Sequence, residues 1–286
     1  MRWVTVKTEH GPRACGELGG EYLDVQSADA SLPSNLRELL ALGSGFQRRA
    51  WELLRGATLR HDAATAKLLP PIPDPRKIIC LGLNYRDHAL ESGVEPPSEP
   101  VLFSKYPTAL IAHGDEIVLP PVSHEVDFEA ELVIVVGRGG RHIPKERAME
   151  HVGGYTIGHD VSARDWQLNK PGKQWMAGKT FDTFAPMGPA IIPADQIANP
   201  QGLGIKLRLN GQTMQDSNTS QLIFPVDYII AYLSNIMTLE PGDLIFTGTP
   251  PGVGMARKPP VWLQHGDEVE VEIEGLGVLK NKVVRR

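Results

Sequence analysis

The stretch Glu125-Val126-Asp127-Phe128-Glu129-Ala130-Glu131-Leu132-Val133-Ile134-Val135-Val136 decides how this chain is read. Val126, Phe128, Ala130, Leu132, Ile134 and Val136 fall on one side of it, and Glu125, Asp127, Glu129 and Glu131 on the other. Period-two alternation predicts a β-strand with one face against a core. The carboxylates then line up at roughly 6–7 Å intervals, with no Lys or Arg between them. Such a row repels itself unless water or a cation lies among the charges. At Val133 and Val135 the second face also turns apolar, so the acidic row runs into the interior and solvation becomes the poorer explanation. An oxygen-only donor set suits a hard divalent ion such as Mg²⁺, Mn²⁺ or Ca²⁺. The alternative is an acidic, solvent-facing side of an antiparallel sheet.

The remaining composition narrows the class. A chain of 286 residues holds one large domain, or a large and a small one. Its 29 Gly and 24 Pro favour short strands and turns over long helices. A net charge of −5 gives no general attraction to nucleic acid. Cys15 and Cys80 are the only cysteines, which makes neither a disulfide framework nor a zinc pattern. Residues 1–13 are polar and mixed in charge, without the marks of a signal or transit peptide, and no apolar run approaches membrane-spanning length. A cytoplasmic setting is expected.

Residues 1–70 read as a small N-terminal α+β unit. Arg2–Thr8 alternates like a strand, Gly19-Gly20 marks a turn, and residues 36–54 carry apolar positions at helical spacing, broken at Gly43-Ser44-Gly45. The proline-rich run Leu69–Pro75 is the expected boundary, leaving residues 71–286 as the larger, strand-dominated domain. Within it, Asn210-Gly211 predicts a hairpin and Pro225–Met237 an amphipathic helix.

Several further groups carry chemistry. Asp160, in His159-Asp160-Val161-Ser162-Ala163-Arg164-Asp165, ends a strand-like run before a helix. It offers one more acid for an ion; alternatively, Asp160 or Ser162 caps that helix. His88 and Glu91 share a helical face, where a carboxylate orients an imidazole as a general base requires. The Gly/Pro-rich loop 92–97 after them is a candidate lid hinge. Lys105 and Lys179 sit in apolar surroundings, suited to an anionic substrate or a developing enolate. The Gly-rich loop 247–254 lacks the spacing of a phosphate or dinucleotide site.

Taken in order, Gly82-Leu83-Asn84-Tyr85 with His88 and Glu91, Phe103-Ser104-Lys105, Asp127–Leu132, His159–Asp165, Gly178–Asp182 and Thr247–Gly254 resemble the fumarylacetoacetate hydrolase family over residues 77–284. Lys173-Gln174-Trp175 and Arg257-Lys258-Pro259-Pro260 are most similar to its subgroup of fumarylacetoacetate hydrolase domain-containing protein 2. The resemblance implies a mixed β-roll or β-sandwich with peripheral helices, and a homodimer. It implies Mg²⁺ or Mn²⁺ on Glu129, Glu131 and Asp160, a lid dyad of His88 and Glu91, and an oxyanion-stabilising Lys179. Lys105, Arg164 and Thr249 match positions that line the substrate's pyruvate end. Asp127 and Glu125 are left nearer the rim. The implied activity is on 2-oxo acids through a pyruvate-type enolate, first as C–C hydrolysis of acylpyruvates. The alternatives are oxaloacetate keto–enol tautomerisation or decarboxylation, and, in another class, a non-catalytic metal- or metabolite-binding module.

Overall fold

The computed structural model describes residues 1–91 and 93–286. The strand Ala130–Val136 lies in the middle of a 12-stranded mixed sheet. On one side it pairs antiparallel with Val152–His159, and on the other with Leu244–Phe246. Every residue of it is buried, and its alternation feeds two cores. Leu132, Ile134 and Val136 pack with Ile205, Leu207, Val269 and Val271 of a second, five-stranded sheet. Val133 and Val135 pack with Phe246, Trp3, Leu39 and Leu40 on the opposite face. The strand is apolar on both sides because there is no solvent on either.

The alternation does not continue as one strand through the acids. Val126–Asp127 forms a separate short ladder with Ser162–Ala163, and Phe128-Glu129 breaks the chain between the two strands. The Asp127 side chain accepts the Phe128 N–H at 2.8 Å. That local bond competes with ladder pairing, and the break turns Glu129 and Glu131 inward.

The N-terminal residues extend the large sheet. Trp3–Thr8 pairs with Gly11–Leu18 and, at Trp3, with Ile191 of the strand Ala185–Pro193. Ile72, in the proline-rich connector, is buried in the cluster that holds Trp3, Ile78 and Leu244. The two expected helices form as Leu36–Ala41 and Ser44–Leu53, the first capped by Asn35 Oδ1 on the Glu38 N–H at 2.9 Å. Asn210 and Gly211 adopt φ of 52° and 79°, the paired positive values that close the hairpin Gly204–Leu209 / Gln212–Asn218. Pro225 precedes the helix Val226–Ile236. The short helix Arg86–Glu91 follows the strand Ile78–Gly82. Ser92, which opens the expected hinge loop, lies outside the described residues. Among the described residues, no helix is long and apolar enough to cross a membrane.

Truncating a residue in the central strand leaves a cavity between two sheets that cannot close independently. Leu132→Ala is expected to cost about 2–5 kcal/mol, read as a lower urea midpoint with an unchanged m-value.

Candidate active site

The break after Asp127 brings the acids of one short stretch into a buried cluster with those of another. Glu129, Glu131 and Asp160 each offer a carboxylate oxygen, and these oxygens lie within 4.8 Å of one another. Asp160 follows the strand Val152–His159, and its N–H donates to Glu129 O at 2.9 Å, so backbone pairing fixes its distance from the acidic run. Neither Asp160 nor Ser162 caps the following helix, Arg164–Asn169. Its cap position is Ala163, without a side-chain bond, and Ser162 Oγ turns back to Asp160 O at 2.9 Å.

Three cations are buried against these acids. Lys179 Nζ donates to Glu129 Oε2 and Asp160 Oδ2, both at 2.8 Å. Arg164 Nη2 reaches Glu129 Oε1 at 2.6 Å, its Nε donates to Asp127 Oδ2 at 2.9 Å, and Nη1 donates to Gln167 Oε1 at 2.8 Å. Lys105 Nζ sits 2.6 Å from Asp160 Oδ1 and donates to the carbonyls of Val161, Phe184 and Lys179. Asp127 takes no part in the ligand cluster and is not at a rim. It is fully buried, and its two oxygens accept the N–H groups of Gly254 at 2.6 Å and Met255 at 3.1 Å as well as Arg164. It anchors the loop beyond residue 250 to the acidic stretch. Sequence reading placed it at the rim because alternation along an unbroken strand moves it away from the interior.

Charge divides the acids into two kinds. Burial pushes the Glu129 carboxyl up, but the Lys179 and Arg164 charges outweigh it and hold the group well below the usual carboxylate range. Glu131 goes the other way: burial, then the charges of Asp160 and Glu129, raise it well above that range. Its one backbone donor is the Gly248 N–H, at 2.8 Å from Oε2. Gly248 has φ of 98°, and a Cβ there would lie 2.9 Å from Asn84 Cβ, so the loop needs glycine to bring this N–H in. Burial lowers the Lys179 amine, yet Asp160 and Glu129 more than restore it and it stays charged. Asp127, Glu129, Glu131 and Asp160 thus face Lys105, Arg164 and Lys179, four carboxyls against three basic groups, and Glu131 is the carboxyl that burial and its acidic neighbours drive to hold a proton. Once Glu131 gives up its proton the cluster is oxygen-rich, buried and net-negative, and a divalent cation fits it.

A cavity of about 400 Å³ opens on this cluster. Glu129, Arg164, Lys179 and Thr249 form part of its wall, together with His88 and Glu91. His88 Nδ1 lies 3.1 Å from Glu91 Oε2, and Glu91 in turn accepts the Gly252 N–H at 3.0 Å. The dyad is therefore docked on the Gly-rich loop. Most of the rest of the wall is apolar, with Leu81, Phe103, Trp175, Val253 and Met255. Lys105, expected at the substrate's pyruvate end, is not part of this wall. Its ammonium is enclosed by three carbonyls and Asp160, and it holds Asp160 from behind. Gln167 and Trp175 line the cavity without having been singled out as site residues. Neither carries a charge or a spacing signal by which sequence reading selects such residues.

The fold and this cavity place paired buried acids beside a His–Glu pair, an arrangement suited to acid–base chemistry. Residues 77–284 match the family Fumarylacetoacetate (FAA) hydrolase C-terminal, and the chain belongs to that family. It is 49% identical to oxaloacetate tautomerase fahd2, mitochondrial, of Xenopus laevis, an alignment covering 99% of this chain and 90% of the relative. The fold matches the fumarylacetoacetate hydrolase of psychrophilic Exiguobacterium antarcticum, with 36% identity, a TM-score of 0.82, and 100% of each chain covered. It also matches maleylpyruvate hydrolase of Sphingobium sp. SYK-6 in complex with manganese(II) and pyruvate, with 32% identity, a TM-score of 0.82, and 100% and 99% of the chains covered. These neighbours agree with the expected family, its strand-dominated fold and divalent-metal binding.

The two glutamates should respond oppositely to neutralisation in metal-free protein. Glu129→Gln leaves Arg164 and Lys179 short of a charge and is expected to destabilise by on the order of 3 kcal/mol. Glu131→Gln replaces a carboxyl that the fold forces to hold a proton with a neutral side chain, and raises the melting temperature at pH 7. Because the folded-state pKa of Glu131 is raised, its contribution is present below the unfolded carboxylate pKa and lost as pH rises through the folded one. The advantage of Glu131→Gln therefore grows with pH from about pH 4.5 upward. A melting temperature for Glu131→Gln below wild type at pH 7 would contradict Glu131 as the uncompensated group.

Proposed function

We propose that this protein is a divalent-metal-dependent oxaloacetate keto–enol tautomerase. The name of the Xenopus laevis relative, at 49% identity over nearly the full chain, carries the choice of substrate. In this reading Glu129, Glu131 and Asp160 hold Mg²⁺ or Mn²⁺. The bound ion supplies Lewis-acid polarisation of the 2-oxo group.

The chain's own groups do the rest. Lys179 spends two of its three N–H donors on Glu129 and Asp160, which leaves one for the substrate's 2-oxygen, where enolate charge develops. Arg164 has committed Nε, Nη2 and one hydrogen of Nη1 to Asp127, Glu129 and Gln167. One Nη1 hydrogen remains for the substrate carboxylate. The Thr249 hydroxyl lies on the same wall. Glu91 holds His88 through Nδ1, so Nε2 carries the moving proton. From the enol, His88 Nε2 takes the 2-hydroxyl proton and hands it to C3, so the imidazole ends as it began; the reverse transfer regenerates the enol. The apolar wall excludes water from this exchange.

C–C hydrolysis of an acylpyruvate is the second reading, supported by the likeness to maleylpyruvate hydrolase and by the apolar room beyond the polar wall. There His88 activates water against the distal carbonyl, and the same enolate leaves. A homodimer belongs to this proposal and rests on the family. The two cysteines are free and buried, which fits a reducing compartment such as the cytoplasm; the Xenopus laevis relative is named mitochondrial.

The test is decay of enol-oxaloacetate absorbance with Mn²⁺- or Mg²⁺-loaded protein. Acceleration is expected, with a loss of on the order of 10²–10⁴-fold in kcat/KM for His88→Ala. No acceleration, alongside metal-dependent acylpyruvate cleavage, would transfer the assignment to the hydrolase reading.

A further inference from the structure

Gln215 lies on the strand Gln212–Asn218, the edge of the five-stranded sheet, yet its side chain reaches into the acidic cluster of the large sheet. It is 1% exposed. Its Oε1 accepts the Ala130 N–H at 2.8 Å. Its Nε2 donates to Thr249 Oγ1 at 2.9 Å and to Pro250 O at 2.8 Å. One amide thus joins the residue between Glu129 and Glu131 to the loop that carries Thr249.

Ala130 needs such a partner. Pairing with the strand Leu244–Phe246 begins only at Val133, so among the described residues no strand pairs with Ala130 on that side and its N–H has no ladder acceptor. A buried, unpaired N–H is costly. The Gln215 carbonyl stands where a strand would, and it fixes the peptide from which the two glutamates diverge. The other end of the amide acts on the loop. Thr249 Oγ1 accepts from Gln215 and so keeps its own hydrogen for the cavity wall it lines. The same loop supplies the Gly248 N–H to Glu131 and the Gly252 N–H to Glu91. Gly252 lies against the residue beside Gln215: a Cβ there would stand 2.1 Å from Met214 O.

We propose that Gln215 is a positioning residue for the Glu129/Glu131 ligand pair and for the Thr249 hydroxyl. Its carbonyl sets the acids and its N–H groups set the hydroxyl. This rests on the metal reading given above. The two halves of the amide are separable by substitution. Gln215→Met removes both functions. Gln215→Glu keeps an acceptor for Ala130 but loses the donors, and its carboxylate draws the Thr249 hydrogen away from the cavity.

The experiment titrates Mn²⁺ into wild-type, Gln215→Met and Gln215→Glu proteins, followed by the free-ion electron paramagnetic resonance signal, with KM and kcat for oxaloacetate measured beside it. Gln215→Met is expected to weaken Mn²⁺ binding by on the order of 10–100-fold. Gln215→Glu is expected to bind Mn²⁺ at least as tightly as wild type but to raise KM by about 10-fold. A residue that only stabilised the fold would lower the melting temperature of both variants alike and leave Mn²⁺ affinity unchanged. Wild-type Mn²⁺ affinity in Gln215→Met overturns the proposal while leaving the metal reading intact. If Gln215→Met does not fold, an unchanged KM in Gln215→Glu overturns it. Absence of Mn²⁺ binding by the wild-type protein overturns the metal reading, and this proposal with it.

Discussion

Burial of unequal charge governs this protein. Asp127, Glu129, Glu131 and Asp160 lie out of water against Lys105, Arg164 and Lys179. Each ion so buried loses several kcal/mol of hydration, so the cluster persists only where nearly every lone pair and N–H is met. Asp127 shows how complete this is: two backbone N–H groups of the loop and the Arg164 guanidinium occupy its oxygens. Lys105 is met by three carbonyls and Asp160. Glu131 differs, with a backbone N–H and, among the described residues, no ion pair. Asp160 Oδ1, paired in charge with Lys105, also lacks a hydrogen-bond partner, so the under-satisfied oxygens of Asp160 and Glu131 lie together, where a positive ion fits.

The two sheets exist to hold that arrangement. The central strand fixes Glu131 at its buried end, and antiparallel pairing with Val152–His159 brings Asp160 beside it. The second sheet supplies Gln215, and the turn after the strand Leu244–Phe246 supplies Gly248 and Thr249. The loop through Gly252 then reaches Glu91, so the helix bearing His88 is tied to the elements that hold the acids. The buried ion pairs and the His88–Glu91 pair are one connected structure, and a change in the loop is felt by both.

Much of this was legible in the residues. The alternation and the apolar turn at Val133 placed a buried strand, and the strand is buried on both faces. The i, i+3 spacing of His88 and Glu91 placed a contact that forms at 3.1 Å. Other readings failed for identifiable reasons. Asp127 looked peripheral because period two was carried through a break made by its own side chain. Lys105 looked like a substrate ligand because an isolated lysine after an apolar strand does not reveal that three carbonyls from residues 161–184 converge on it. Gln215 gave no signal: a glutamine in a polar hairpin strand is ordinary until another sheet comes within reach.

The sequence by itself determined the strand pattern, the hairpin, the helix that begins after Pro225 and which residue types were gathered for chemistry. Each of these depends on local periodicity, turn geometry or neighbours a few positions away. Only the tertiary structure decided which acids are neutralised and which is left in excess. That outcome depends on cations 19 to 55 residues distant from the acids they pair with and on backbone groups from two sheets. Coulombic energy and desolvation follow distance in space, and spacing along the sequence does not encode it.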